Sequence, residues 1–163
     1  MIEFKQSISD SDYRKAIAIH YFGYGYTYIN PILGLILLLV VIPLIIASPT
    51  SLDYGSIILL VLGLFLMVRP MLYINNVFRS IKSNKMSPTE TSIQITEDRI
   101  VITTQDNIES VHLRNLYAYC NKQTFLFLYF ARNQYLVLDK RKMSQAQLEK
   151  AVERLEKLNI KRR

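Results

Sequence analysis

Two long apolar runs, separated by only six residues, restrict this chain more than any other feature. Pro31–Ala47 (PILGLILLLVVIPLIIA) holds 17 residues without a charge, and Tyr54–Ile74 (YGSIILLVLGLFLMVRPMLYI) holds 21 with Arg69 alone charged. A bilayer core about 30 Å thick takes roughly 20 apolar residues at about 1.5 Å of rise each. Both runs match that length, and the pattern predicts a two-helix transmembrane hairpin. Two alternatives fit less well. A domain of this size has little room to bury two helices that are apolar all round. A signal peptide needs a short basic start and small residues at a cleavage site, whereas about 30 residues of mixed sequence precede the first run.

Basic residues near the runs predict the orientation, because Lys and Arg concentrate on the cytoplasmic side. Ser48–Asp53 contains neither, while Lys5, Arg14 and Lys15 flank the pair on one side and Arg79, Lys82 and Lys85 on the other. Arg69 is near the inner end of the second run, within snorkelling distance of headgroups. Both termini are therefore expected in the cytoplasm. A single cysteine, Cys120, suits that compartment, since no intramolecular disulfide is possible.

The formal charge of +7 lies wholly after the hairpin: residues 1–74 balance, and residues 75–163 carry the entire excess. Beside an anionic leaflet each Lys or Arg that reaches the surface gains roughly 1 kcal/mol. Nucleic acid would attract the same charge, but tethering makes membrane lipids the nearer partner, so no nucleic-acid partner is expected.

Four segments follow from the patterning. Residues 1–30 read as a short strand (Met1–Ser9, with Ile2, Phe4 and Gln6 on one face) and an amphipathic helix from Tyr13 to Phe22, capped by Asp10 or Ser11. Tyr21, Phe22, Tyr24, Tyr26 and Tyr28 then crowd the approach to the first span, as an aromatic belt at the water–lipid boundary would; a carbohydrate or nucleotide stacking site is the rival reading. Residues 31–74 form the hairpin, where Gly34 and Gly63 permit close helix approach and Pro43 and Pro70 invite kinks. No carboxylate lies within either run, which argues against transport by the hairpin alone.

Residues 75–88 read as a basic connecting helix that Ser87–Pro88 stops. Residues 89–163 read as a meander of short strands: Ile93–Thr96, Arg99–Thr104, Glu109–Leu113, Leu116–Asn121, Thr124–Phe130 and Tyr135–Leu138. Turns are expected at Glu97–Asp98, Asp106–Asn107 and Ala131–Gln134. Ser144–Ile160 closes the chain as a helix with Ser144 and Gln147 at capping-box spacing. Its apolar stripe, Leu148, Ala151, Val152, Leu155 and Leu158, is suited to cover one side of the sheet. Burial of four large aliphatic side chains contributes about 1.5–3 kcal/mol each before entropy is subtracted. The predicted fold class is an α+β membrane protein: a transmembrane hairpin plus a mainly antiparallel β domain closed by a C-terminal helix.

Particular residues carry a family resemblance. They are the helix start Asp12-Tyr13-Arg14-Lys15-Ala16, the turn Thr96-Glu97-Asp98, the strand leading into Val111-His112-Leu113, and Leu138-Asp139-Lys140-Arg141 ahead of the Ser-capped helix. With two tightly spaced spans between them, this order resembles the YcxB-like family of small bacterial membrane proteins over nearly the whole chain. The resemblance implies a pleckstrin-homology-like C-terminal domain and a bacterial cytoplasmic-membrane location. It implies architecture more than activity. The chain departs from the family pattern in having no tryptophan, with His112 in the corresponding place, and in carrying Asp139 where a proline is usual.

No catalytic constellation stands out. His20 and His112 are separated by the hairpin, Cys120 has no CxxC partner, and zinc would need about four ligands. The segment after the spans contains no glycine, so a phosphate-cradling loop is absent. No enzymatic activity, cofactor or metal is expected. The candidate contact residues are two basic clusters, Lys140, Arg141 and Lys142 with Lys161, Arg162 and Arg163, provided that the fold brings them together. A plain solvated face is the simpler reading; contact with anionic headgroups or a protein partner is the sharper one. The function expected is a non-enzymatic membrane-anchored binding module. The rivals are an immunity-type protein that neutralises a membrane-active toxin and a structural subunit of a larger complex.

Overall fold

The computed structural model describes residues 1–47, 54–83, 90–104, 107–132 and 134–163. The Ser48–Asp53 connection, the Ser87–Pro88 helix stop, Lys85, Asp106 and Asn133 of the expected turns lie outside the described residues. The chain is α+β and divides into two compact units, one of residues 1–10 with 86–163 and one of residues 11–85.

In the first unit, β1 (Ile2–Gln6), β2 (Thr91–Ile95), β3 (Arg99–Thr103) and β4 (Ile108–His112) form an antiparallel sheet in that order. A second antiparallel sheet contains β5 (Ala118–Asn121), β6 (Phe125–Ala131) and β7 (Gln134–Asp139). The helix α4 (Gln145–Lys157) follows. The β1 strand alternates as its sequence demands, with Ile2, Phe4 and Gln6 buried and Glu3 and Lys5 exposed. Its registry sets Ile2 beside Ile95 and Phe4 beside Ile93. Strand and helix within residues 1–30 therefore divide between the two units. The physical reason is that β1 needs a hydrogen-bonding partner, and β2 supplies it from beyond the hairpin.

One core joins both sheets and α4, including Phe4, Ile93, Ile100, Leu113, Leu126, Leu138 and Leu155. β6, the central strand of its sheet, is buried along both faces from Phe125 through Tyr129. Its unbroken FLFLY sequence has no polar side to turn outward. Between β7 and β1, the two sheet edges are stitched by a side chain. Gln6 Nε2 donates to Val137 O, and the Asp139 N–H donates to Gln6 Oε1, each at 2.9 Å. The amide of Gln6 thus replaces backbone pairing where the strands themselves do not pair.

In the second unit the helix α1 (Asp10–Phe22) begins three residues before Tyr13, so Asp10 and Ser11 belong to its first turn rather than preceding it. A tight turn at Gly25–Tyr28 leads into α2 (Ile29–Ala47), and α3 runs unbroken from Tyr54 to Ser83. The described part of the basic connecting segment, as far as Ser83, is therefore a continuation of the second apolar helix. Two helices, Gly25–Ala47 and Tyr54–Lys82, are long and apolar enough to cross a membrane. Only 17% and 11% of their most apolar windows are buried, which separates them from the core helices of a soluble domain. The two helices approach closely at two glycines. A Cβ on Gly34 would lie 2.7 Å from Gly63 O, so backbone meets backbone there. Pro43 and Pro70 lie inside the helices. At the approach to α2, Tyr26 and Tyr28 are exposed whereas Tyr21 is buried and 4.7 Å from the Tyr73 ring.

Candidate functional site

The six candidate cations sit at two chain turns that converge on β5, although their charges are not equivalent. Lys140, Arg141 and Lys142 form a single tight turn after β7. The turn is held from below by Asp139, whose side chain is only 2% exposed. Its Oδ1 accepts the Arg141 N–H at 3.0 Å and Nε at 2.9 Å, while Oδ2 accepts Nη2 at 2.7 Å. The fork of guanidinium bonds neutralises the carboxylate and takes Arg141 out of the available positive charge. Asp139 therefore has a local role: it caps the turn and pairs with the second residue after it.

Lys140 points to the β5–β6 turn, where its Nζ donates to Asn121 Oδ1 at 2.9 Å and to Lys122 O at 2.8 Å. Lys142 is exposed, as is Lys122. Lys122 was not among the residues singled out from the sequence. Alone between Asn121 and Gln123 it gives no cluster signal, and only the fold sets it beside Lys140.

The tail reaches β5 because α4 ends early. The helix stops at Lys157 rather than continuing to Ile160, and Asn159 adopts the left-handed conformation at φ 53°. Asn159 N–H donates to Glu156 O at 2.9 Å and Ile160 N–H to Leu155 O at 3.0 Å. These are the two bonds of a Schellman cap, with asparagine in the position that most residues tolerate poorly. Ile160 packs against the core and turns the chain back towards β5. Arg162 then forms an isolated parallel bridge with Tyr119.

A strand alternates its side chains, so the tail arginines part company. Arg163 lies 5.2 Å from the centre of the Tyr129 ring. Arg162 acts electrostatically on the phenol of Tyr119, whose hydroxyl donates to Glu156 Oε1 at 3.1 Å. Burial, then the Glu156 bond and charge, hold that phenol above its ordinary pKa, with Arg162 opposing the shift. The two clusters therefore meet along β5 and its following turn, as a rim rather than one patch.

The residues considered for chemistry do not converge. Cys120 is buried opposite Phe127 in β5 and β6. His112 Nδ1 on β4 is 3.8 Å from the Asp98 carboxylate, and both side chains are more than half exposed. His20 is buried in α1 with its ring edge-on to Tyr24. Among the described residues no group of three or more His, Cys, Asp or Glu is arranged to hold a metal ion.

Fold and site define an α+β chain with two apolar helices and a β unit bearing a cationic rim. No family model, curated protein or solved structure matches the chain.

Proposed function

We propose that this protein is a non-enzymatic membrane-anchored module whose β unit binds anionic phosphate-bearing headgroups at the cytoplasmic face. The observation that carries the reading is the rim of Lys122, Lys140 and Lys142 around the end of β5, in a chain whose apolar helices are largely uncovered. Four plus three antiparallel strands followed by one helix support a pleckstrin-homology-like closure and the YcxB-like resemblance. The hairpin acts as anchor, with both termini in the cytoplasm of a bacterial cell.

Lysines suit this role because an ammonium is a compact point charge that meets phosphate from many directions. Three of them gain about 3 kcal/mol together if each contributes the usual surface increment, enough to localise an already tethered domain. The test uses the full chain in nanodiscs of zwitterionic or anionic lipid, with amide exchange followed at residues 118–122 and 140–142. Anionic lipid is expected to slow exchange there, and Lys122→Glu with Lys142→Glu is expected to abolish the difference. Identical exchange in both lipids would sink the headgroup reading.

A further inference from the structure

A sheet edge presents backbone N–H and C=O groups that accept an extended segment as an added strand. β5 is such an edge, since β6 pairs with one side only. On the other side lies the chain's own tail. Tyr119 N–H donates to Lys161 O at 2.9 Å, and Arg163 N–H donates to Tyr119 O at 2.8 Å. This pairing is one isolated bridge, and all three tail residues remain exposed.

The surroundings suit basic side chains on both sides of such a strand. An aromatic face, Tyr129, meets the guanidinium of Arg163, and Glu156 lies on the Tyr119 hydroxyl near Arg162. Without the tail, the remainder of the unit carries equal numbers of acidic and basic residues. The unit's net positive charge thus resides in the segment that occupies the edge. β5 also continues to Asn121, one pairing position further than the bridge at Tyr119.

We propose that the β5 edge docks an extended, arginine-bearing segment of a partner protein, and that the tail is its displaceable resident. The inference rests on the reading of the β unit as a binding module, but not on headgroup contact.

The experiment uses the full chain in zwitterionic nanodiscs and a fluorescent peptide with the sequence of residues 158–163, LNIKRR, read by anisotropy. A tethered occupant competes at an effective concentration of about millimolar, so a chain ended at Ile160 should bind the peptide at least about tenfold more tightly than the intact chain. Glu156→Gln in the shortened chain should weaken binding. Protection of the buried Cys120 thiol from a maleimide reports that the fold persists. If shortening exposes Cys120, Arg162→Glu with Arg163→Glu serves as the tail-released form. Equal binding by intact and tail-released chains overturns the proposal, as does absence of saturable binding with Cys120 protected. Exposure of Cys120 in both forms also overturns it, since a tail that the fold requires is not displaceable. Binding that appears only after anionic lipid is added assigns the contact to headgroups instead. Because the assay itself contains no anionic lipid, its failure leaves the headgroup measurement standing.

Discussion

Replacing Gln6 with alanine should loosen the β unit about as much as truncating a core side chain on β1. The Gln6 side chain reaches from the end of β1 to β7, donating to Val137 O and accepting from Asp139 N–H, both at 2.9 Å. Val137 is 2% exposed and Asp139 1%, so water cannot readily replace either bond. Leaving a buried polar group unsatisfied costs about 1–3 kcal/mol, so two such groups set an expected loss of about 2–4 kcal/mol after partial relaxation. The loss is larger than a surface change and comparable with a core truncation. Hydrogen exchange of the full chain in nanodiscs offers the readout. At about 1.4 kcal/mol per factor of ten, β1 and β7 amides that exchange through opening of the unit should speed up roughly 30- to 700-fold. Lys5→Ala, on the exposed face of the same strand, should change little. Rates within about threefold of the parent in Gln6→Ala would refute the stitch as an energetic feature and leave it a geometric coincidence.

Three further outcomes follow from other parts of the chain. Gly34→Val places side-chain atoms where even a Cβ would stand 2.7 Å from Gly63 O and 3.0 Å from Met67 N. It should cost the helix pair about 1–3 kcal/mol, seen as a lower helical melting temperature in detergent, whereas Gly25→Ala should be neutral there. Ser144→Ala removes the half of the capping box in which Gln147 N–H donates to Ser144 Oγ, and leaves the half in which the residue-144 N–H donates to Gln147 Oε1. It should cost about 1 kcal/mol and accelerate exchange in the first turn of α4. Tyr119→Phe should alter alkaline stability. Because burial and Glu156 raise the folded-state pKa, the tyrosine's contribution is full below its unfolded value of about 10 and fades as pH rises through the folded value. The parent should therefore lose stability above about pH 10 in excess of the variant, and equal alkaline profiles would contradict the assignment.

What could be read from the sequence was what is decided locally. Strand positions in the β unit follow from alternation and turn residues, and Thr96 indeed bonds with Arg99 across the Glu97–Asp98 turn. The Ser144–Gln147 box was legible because both partners lie three residues apart. Gly34 and Gly63 were legible as small residues within apolar runs. The partner of β1 was not, because β2 lies beyond the whole hairpin and nothing in MIEFKQ names it. The helix stop at Lys157 was hidden because Leu158 continues the apolar stripe. Asn159 was the available signal, as the non-glycine residue most at ease with a positive φ.

The six cations show why charge clusters in a sequence overstate charge on a surface. Counted along the chain, Lys140–Lys142 and Lys161–Arg163 make two equal triplets, but neighbouring residues in a turn or strand face different surroundings. Asp139 consumes Arg141, Asn121 and the Lys122 carbonyl orient Lys140, and the strand geometry of the tail sends Arg162 and Arg163 to different partners. Lys142 is left as the exposed lysine of the first triplet, and Lys122 joins it from a part of the sequence with no cluster at all. Positive charge at the end of β5 is therefore assembled by the turns that follow β5 and β7. The tail's three cations, by contrast, are exposed with the bridge to Tyr119 in place, so they add to the surface charge without any opening of the edge.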